Sequence, residues 1–333
     1  MGCNLAIAGV TGAVGQEFLK ILDEREFPFS SLKVLASSRS AGKKINFRKK
    51  QYSVEELTKD SFAGVDIALF SAGGARSKDF APAAVKAGAV VVDNSSAFRM
   101  DPEVPLVIPE INPEKIKQHK GIIANPNCST IIGIVPVWPL HRANTVKRMV
   151  ISTYQAASGA GYPAMLELEN QTREILDGKE PTCKAFPYQI AFNVFNHNSA
   201  LGPNGYNFEE RKMVNETRKI FDCADIAITC TCIRVPVFRA HCESINLEFA
   251  DPITAEQVRD LLSTAPGVAL IDDRENNRFP MPVDASGKDE IFVGRIRQDE
   301  SITDNRGINI WVAGDQLRKG AALNAVQIAE KLL

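Results

Sequence analysis

The stretch GVTGAVG, with Gly9, Gly12 and Gly15, joins the apolar run NLAIAG to a segment of helical period, GAVGQEFLKILDE. A strand that feeds a helix through a glycine turn needs a crossover to reach the next strand, and crossovers build parallel sheets. The alternation continues through LKVLAS, VDIALFSA, AGAVVVDNS and GIIANP, with the helical segment SKDFAPAAVKAGA among them. The first third is therefore expected to fold as α/β, a Rossmann-like doubly wound parallel sheet.

After about residue 145 the pattern changes. RMVISTYQA, DIAITCTCIRVPV, HCESINLEF and GINIWVAG read as longer alternating strands, separated by helical stretches at 162–177, 208–221 and 254–264. That pattern predicts a second, α+β domain, a mixed sheet with helices on one face. A chain of 333 residues is long enough for two cores. We place the NADP-binding domain at 1–127, completed by a C-terminal helix over 315–333, and the catalytic and dimerisation domain at 128–314.

The charge balance excludes some partners. With 39 basic against 40 acidic residues, the chain offers no overall field for a nucleic acid or an anionic membrane surface. No apolar stretch reaches the roughly 20 residues of a spanning helix. Seven cysteines would leave one unpaired in an oxidising compartment, and the sequence opens directly into a strand, so a cytoplasmic location is expected.

Glycines after the first strand allow a tight turn and close backbone approach, and the helix they open presents unpaired N–H groups to a phosphate. The spacing here is GxxGxxG, and the alternative reading is a turn that merely reverses the chain. At the end of the second strand, where an acidic residue would bind the ribose hydroxyls of NAD, the sequence reads Ser37, Ser38, Arg39, Ser40. Hydroxyls and a planar cation suit the extra phosphate of NADP. A solvated basic loop is the alternative.

Cys128 lies in ANPNCSTIIG, at the start of a helical run. A helix N-terminus lowers a thiol pKa, and its N–H groups, with the Asn127 side chain, suit an oxygen that turns negative when sulfur adds to a carbonyl. A free cysteine is otherwise a small buried hydrophobe. A thiolate beside a nicotinamide suggests one chemistry: hydride exchange between the dinucleotide and a thiohemiacetal or thioester.

With DNSSAFR, NPNCST, QAASGAG, EERKMVNETRKI, CIRVPVFRAH and GDQLRKGAALNAVQIAE added to the glycine loop, the chain resembles the bacterial aspartate-β-semialdehyde dehydrogenase family from end to end. The resemblance implies reversible reduction of β-aspartyl phosphate by NADPH to aspartate β-semialdehyde, with release of phosphate, toward lysine, methionine and threonine. It implies Cys128 as nucleophile, His241 as acid/base and Gln155 near the thioester. Arg234 and Glu209 would bind the substrate α-carboxylate and α-ammonium, and Arg99 and Lys212 the phosphate. Thr11 to Val14 (with Gly12 and Ala13), Arg39, Ser40, Ser158, Gly159 and Gln316 would line the cofactor. Homodimers or homotetramers are implied as well.

The residues themselves leave alternatives. Glu209 and Lys212 are three apart on a helical pattern and could be a surface ion pair. His241 is one of four histidines, seven residues beyond Arg234 with Pro236 and an expected bend between them, so spacing alone does not place the two on one face. Cys230, Cys232, Cys242 and His241 match no zinc pattern, and no metal is expected. Rival functions are N-acetyl-glutamyl-phosphate reduction, NADP binding without catalysis, and hydride transfer to a free ketone without a covalent step.

Overall fold

The computed structural model describes residues 2–333. The chain divides into two compact units, 1–127 with 321–333, and 128–320. It returns to the first unit at Ala321 and not at 315. Residues 315–320 stay with the second unit because the buried Asp315 carboxylate accepts from Arg239 Nε and from the Gly287, Leu317 and Arg318 N–H groups.

The first unit carries β1 (Cys3–Ala8), α1 (Ala13–Glu24), β2 (Phe29–Ala36), a hairpin of β3 (Lys44–Phe47) and β4 (Lys50–Ser53), and β5 (Glu55–Glu56). β6 (Ile67–Phe70), α2 (Gly74–Lys86), β7 (Val90–Asp93) and β8 (Ile122–Ala124) follow. Six strands form one sheet in the order β5-β2-β1-β6-β7-β8, every pair parallel. The doubly wound expectation is therefore met. Strand order reverses direction between β1 and β6, and a crevice opens beyond the strand ends at such a point. β1 and β6 are buried runs of Leu, Ile, Ala and Phe, as a sheet covered on both faces requires. One apolar layer joins Phe18, Ile21 and Leu22 of α1 to Leu323, Val326 and Ile328 of the C-terminal helix Leu323–Glu330. The other lies under α2, around Ala81, Ala84, Phe62 and Phe70.

The second unit begins with α3 (Cys128–Ala143). Seven strands follow: β9 (Val146–Gln155), β10 (Phe195–Asn196), β11 (Ala227–Arg234), β12 (His241–Phe249), β13 (Val268–Leu270), β14 (Ile291–Gln298) and β15 (Gly307–Gly314). Between them lie α4 (Tyr162–Leu176), α5 (Phe208–Phe221), α6 (Ala255–Ser263) and the short α7 (Pro282–Ala285). The sheet order is β10-β11-β9-β12-β15-β14-β13. It is mixed, with β11 parallel to β9 and β12 antiparallel to both β9 and β15.

α3 is apolar on nearly every side and lies against β9, β12, β14 and β15, with α5 and α6 beside it. A helix of that composition is stable only when buried all round. α5 is held at its start by a capping box, in which Asn207 accepts from the Glu210 N–H and Glu210 from the Asn207 N–H. That cap fixes where Glu209 projects. Among the described residues, no helix is long and apolar enough to cross a membrane.

Candidate active site

In the first unit, the turn after β1 packs tightly against the backbone that follows β6. Gly9 has φ of 92°, and a Cβ there would lie 2.2 Å from the Ser71 carbonyl oxygen. The Gln16 side chain donates to the Val10 carbonyl at 2.8 Å and pins the loop. Gly12 caps α1 without a side chain, and the first turn, beginning Ala13-Val14-Gly15, holds no acidic residue. Its outward N–H groups are thus available to an anion. A cleft of about 170 Å³ opens here, lined among others by Gly9, Thr11, Gly12, Ser37, Arg39 and Arg76. Backbone donors, glycines and two guanidinium groups fit the pyrophosphate and sugar of a dinucleotide. Arg76, from the start of α2, had no signal in the sequence reading. Ser40 sits in the same 3-10 turn as Arg39 but is not on the cleft wall.

Arg99 also belongs to the first unit. It is buried, and its guanidinium donates to the Asn125 carbonyl at 2.9 Å and the Asn94 carbonyl at 2.8 Å. Two backbone acceptors at the ends of β7 and β8 thereby hold a cation at the carboxyl edge of the sheet, where doubly wound sheets bind ligands. Asn127, the last residue of this unit, is buried directly before Cys128.

In the second unit, strand register gathers what the sequence scatters. Arg234 at the end of β11 pairs with Gln155 at the end of parallel β9. β12 runs antiparallel to β9, so His241 at its start comes to the same end of the sheet, with Cys242 opposite Tyr154. Cys128, the first residue of α3, brings its Sγ to 3.6 Å from His241 Nε2. A thiol at a helix N-terminus is biased toward thiolate.

Around this pair the side chains are charged and enclosed. Gln155, fully buried, donates to Ser129 Oγ at 2.5 Å and to Glu209 Oε1 at 3.1 Å. Glu209 Oε2 is 2.9 Å from Lys212 Nζ, and the helix N-terminus favours the carboxylate further. Arg234 Nη1 donates to the Ala156 carbonyl at 3.2 Å, and Nη2 lies 2.8 Å from His197 Nε2. Burial draws the Arg234 pKa down, against the pull of Glu209. His197 is drawn down to about 4, chiefly by burial, with Glu209 opposing and Arg234 reinforcing. His241 falls to about 3, again chiefly by burial and then by Arg234.

The loop after β9 closes one side. Gly159 is small because it has to be: a Cβ there would stand 2.8 Å from Arg234 Nη1 and 3.0 Å from His241 Nε2. Gln316 accepts from the Ala240 N–H at 2.9 Å and donates to Ser158 Oγ. Those two bonds brace Ala240, whose φ of 71° turns the chain into His241. Strain of that kind is held by surrounding bonds.

The structure thus brings Cys128, Gln155, Ser158, Gly159, Glu209, Lys212, Arg234, His241 and Gln316 into one unit. Sequence reading missed Ser129 and His197. His197 sits in a loop without periodic pattern, and no local signal marked it.

Two family models match the chain: semialdehyde dehydrogenase, NAD binding domain, over residues 4–119, and semialdehyde dehydrogenase, dimerisation domain, over 137–319. An aspartate-semialdehyde dehydrogenase of Synechocystis sp. is 56% identical over 330 residues, covering 99% of this chain and 97% of the relative. One from Aquifex aeolicus is 53% identical over 337 residues, covering 100% and 98%. Among solved structures, aspartate semialdehyde dehydrogenase II from Vibrio cholerae, complexed with ASA, superposes with a TM-score of 0.96 at 47% identity, covering 100% of this chain and 98% of that one.

Proposed function

The chain belongs to the aspartate-semialdehyde dehydrogenase family, and from that premise we propose that it interconverts L-aspartyl 4-phosphate and L-aspartate 4-semialdehyde through a thioester on Cys128. The observation that carries the reading is the contact of the Cys128 sulfur with His241 at a helix N-terminus, inside a ring of Gln155, Glu209 and Arg234. Sulfur adds to the acyl carbon, and the N–H groups at the start of α3 with Asn127 stabilise the oxygen that becomes negative.

Arg234 presents a fork to the substrate α-carboxylate, and Glu209 faces the α-ammonium. A free ammonium at Glu209 is what separates this substrate from an N-acetylated one. Lys212 and Arg99 are the cations assigned to phosphate.

When bound, a nicotinamide dinucleotide exchanges a hydride with the carbon attached to sulfur. Gly9, Thr11 to Gly15 and Arg39 would hold its pyrophosphate and ribose, with Ser40 beside them. Ser158, Gly159 and Gln316 would face the nicotinamide. We assign NADP, because the cleft wall offers Ser37 and Arg39 just after β2 and Arg76 at the start of α2. The dimerisation-domain match supports pairing of two copies through the second unit, and seven free thiols suit a reducing cytoplasm.

The test is spectrophotometric. NADPH formation from aspartate semialdehyde should require phosphate, and N-acetylglutamate semialdehyde should give little or none. Equal turnover with the acetylated substrate would overturn the assignment.

A further inference from the structure

Arg234 is the cation assigned to the substrate α-carboxylate, and a guanidinium that is fixed before binding loses less freedom when the anion arrives. Three groups fix it. Nη1 donates to the Ala156 carbonyl at 3.2 Å, Nη2 lies 2.8 Å from His197 Nε2, and the Phe186 ring covers one face with its centroid 5.7 Å from Cζ. These contacts leave Nε, enclosed and without a partner among the described residues, for an incoming anion.

His197 owes its place to the sheet. β10 pairs antiparallel with the end of β11, Phe195 opposite Arg234, and the His197 N–H then donates to the Cys232 carbonyl at 2.8 Å. The ring is turned so that Nε2 meets Arg234 while Nδ1 lies 3.1 Å from Ser199 Oγ. Ser199 Oγ in turn accepts from the Glu209 N–H at 3.1 Å, which satisfies one of the open donors in the first turn of α5. One short loop thus touches both residues assigned to the charged groups on the substrate α-carbon.

A guanidinium has only donors, so the ring nitrogen facing Arg234 must accept. Nε2 is then unprotonated, and the neutral ring carries its proton on Nδ1, from which it donates to Ser199 Oγ. The Ser199 N–H, 3.2 Å from Nδ1, competes for that nitrogen, and the shorter, charge-assisted bond from Arg234 decides the tautomer. Burial holds the ring neutral, with the Glu209 carboxylate, 4.0 Å from Nε2, opposing and the Arg234 and Lys212 charges assisting.

We propose that His197 is a positioning residue for substrate recognition: its Nδ1–H tautomer accepts the Arg234 bond through Nε2 and orders the guanidinium for the α-carboxylate, while Ser199 ties the same ring to Glu209 at the start of α5. This rests on the reading of aspartate semialdehyde as the substrate. His197 acts through Arg234 and takes no part in proton or hydride transfer. The α-carboxylate keeps its charge from free aldehyde to thioester, so a bond that orders its ligand serves ground state and transition state alike and appears chiefly in KM.

The test compares the wild type with His197→Leu, which removes the acceptor, and His197→Gln, whose side-chain oxygen can take the Arg234 bond, in phosphate-dependent oxidation of aspartate semialdehyde. In His197→Leu the KM for the semialdehyde should rise about tenfold or more, as loss of a hydrogen bond to a charged group implies, with kcat and the KM values for phosphate and NADP within about threefold. His197→Gln should recover most of that affinity. An unchanged KM in His197→Leu, a loss confined to kcat, or a glutamine variant no better than the leucine one overturns the proposal. Nitrogen-15 NMR of the substrate-free enzyme at pH 7, with the His197 signals assigned by their loss in His197→Gln, gives a readout independent of turnover. Nδ1 should have the shift of a protonated nitrogen and Nε2 that of an unprotonated one. The reverse tautomer, or an imidazolium, overturns the proposal even if the leucine variant fails to fold. Absence of wild-type turnover of aspartate semialdehyde would refute the substrate reading instead, which separates the two failures.

Discussion

The two units solve the problem of binding charge in opposite ways. The cleft after β1 is made of backbone: glycines that stay out of the way, the open first turn of α1, and guanidinium groups from Arg39 and Arg76 at its wall. The site around Cys128 is made of side chains, nearly all buried, in which Glu209 is answered by the Lys212 and Arg234 charges and by the Gln155 amide. A backbone cradle is specified by which side chains are missing, and its donors cost little to arrange. A buried side-chain site must compensate every charge it encloses, so removal of one partner leaves another exposed to the full desolvation penalty.

That contrast is open to experiment. Glu209→Gln preserves the shape beside Gln155 and removes one charge from the enclosed set. We expect kcat/KM for aspartate semialdehyde to fall about 10- to 150-fold, as the loss of a charge-assisted hydrogen bond of about 1.5–3 kcal/mol implies. A fall below threefold would mean that the buried charges are not interdependent. Arg39→Asp alters the wall of the backbone cradle and should act more mildly. The preference for NADP over NAD should drop about tenfold, while kcat with saturating NAD is retained. Unchanged selectivity would assign the 2′-phosphate to Arg76 or to no side chain at all, and lost kcat would mean that the cradle depends on its side chains after all.

The same contrast explains what could be read from the sequence. GVTGAVG announces itself because absent side chains at fixed intervals, between a strand and a helix, leave a local trace. The doubly wound sheet is legible for a similar reason, since buried parallel strands are short apolar runs. In the second unit β14 went unread. Its run IFVGRIRQ loses alternation at Gly294 and Arg295, where a bulge shifts the register and Arg295 adopts φ of 52°. The β3–β4 hairpin was missed because KINF and KQYS are mostly polar and half-exposed.

Residue spacing could not place Arg234 beside His241 either, because Pro236 breaks the strand between them. Their meeting depends on both strands pairing with β9, a long-range fact. His197 is the extreme case, a lone loop histidine that becomes an Arg234 partner only after folding. Family resemblance named the other residues of this site, and resemblance was the one source that carried such non-local information. It implied an acid/base role for His241, whose Nδ1 accepts from the Ala156 N–H while Nε2 faces the Cys128 sulfur.

The central claim is that Cys128 carries the acyl group, and intact-protein mass spectrometry of enzyme quenched during turnover measures it most directly. With aspartate semialdehyde and NADP present and phosphate withheld, an aspartyl adduct should accumulate, map to the peptide containing Cys128, disappear when phosphate is added, and be missing from Cys128→Ala. Turnover that proceeds with no adduct on that peptide, or a Cys128→Ala enzyme that still oxidises the semialdehyde in a phosphate-dependent way, would contradict the account.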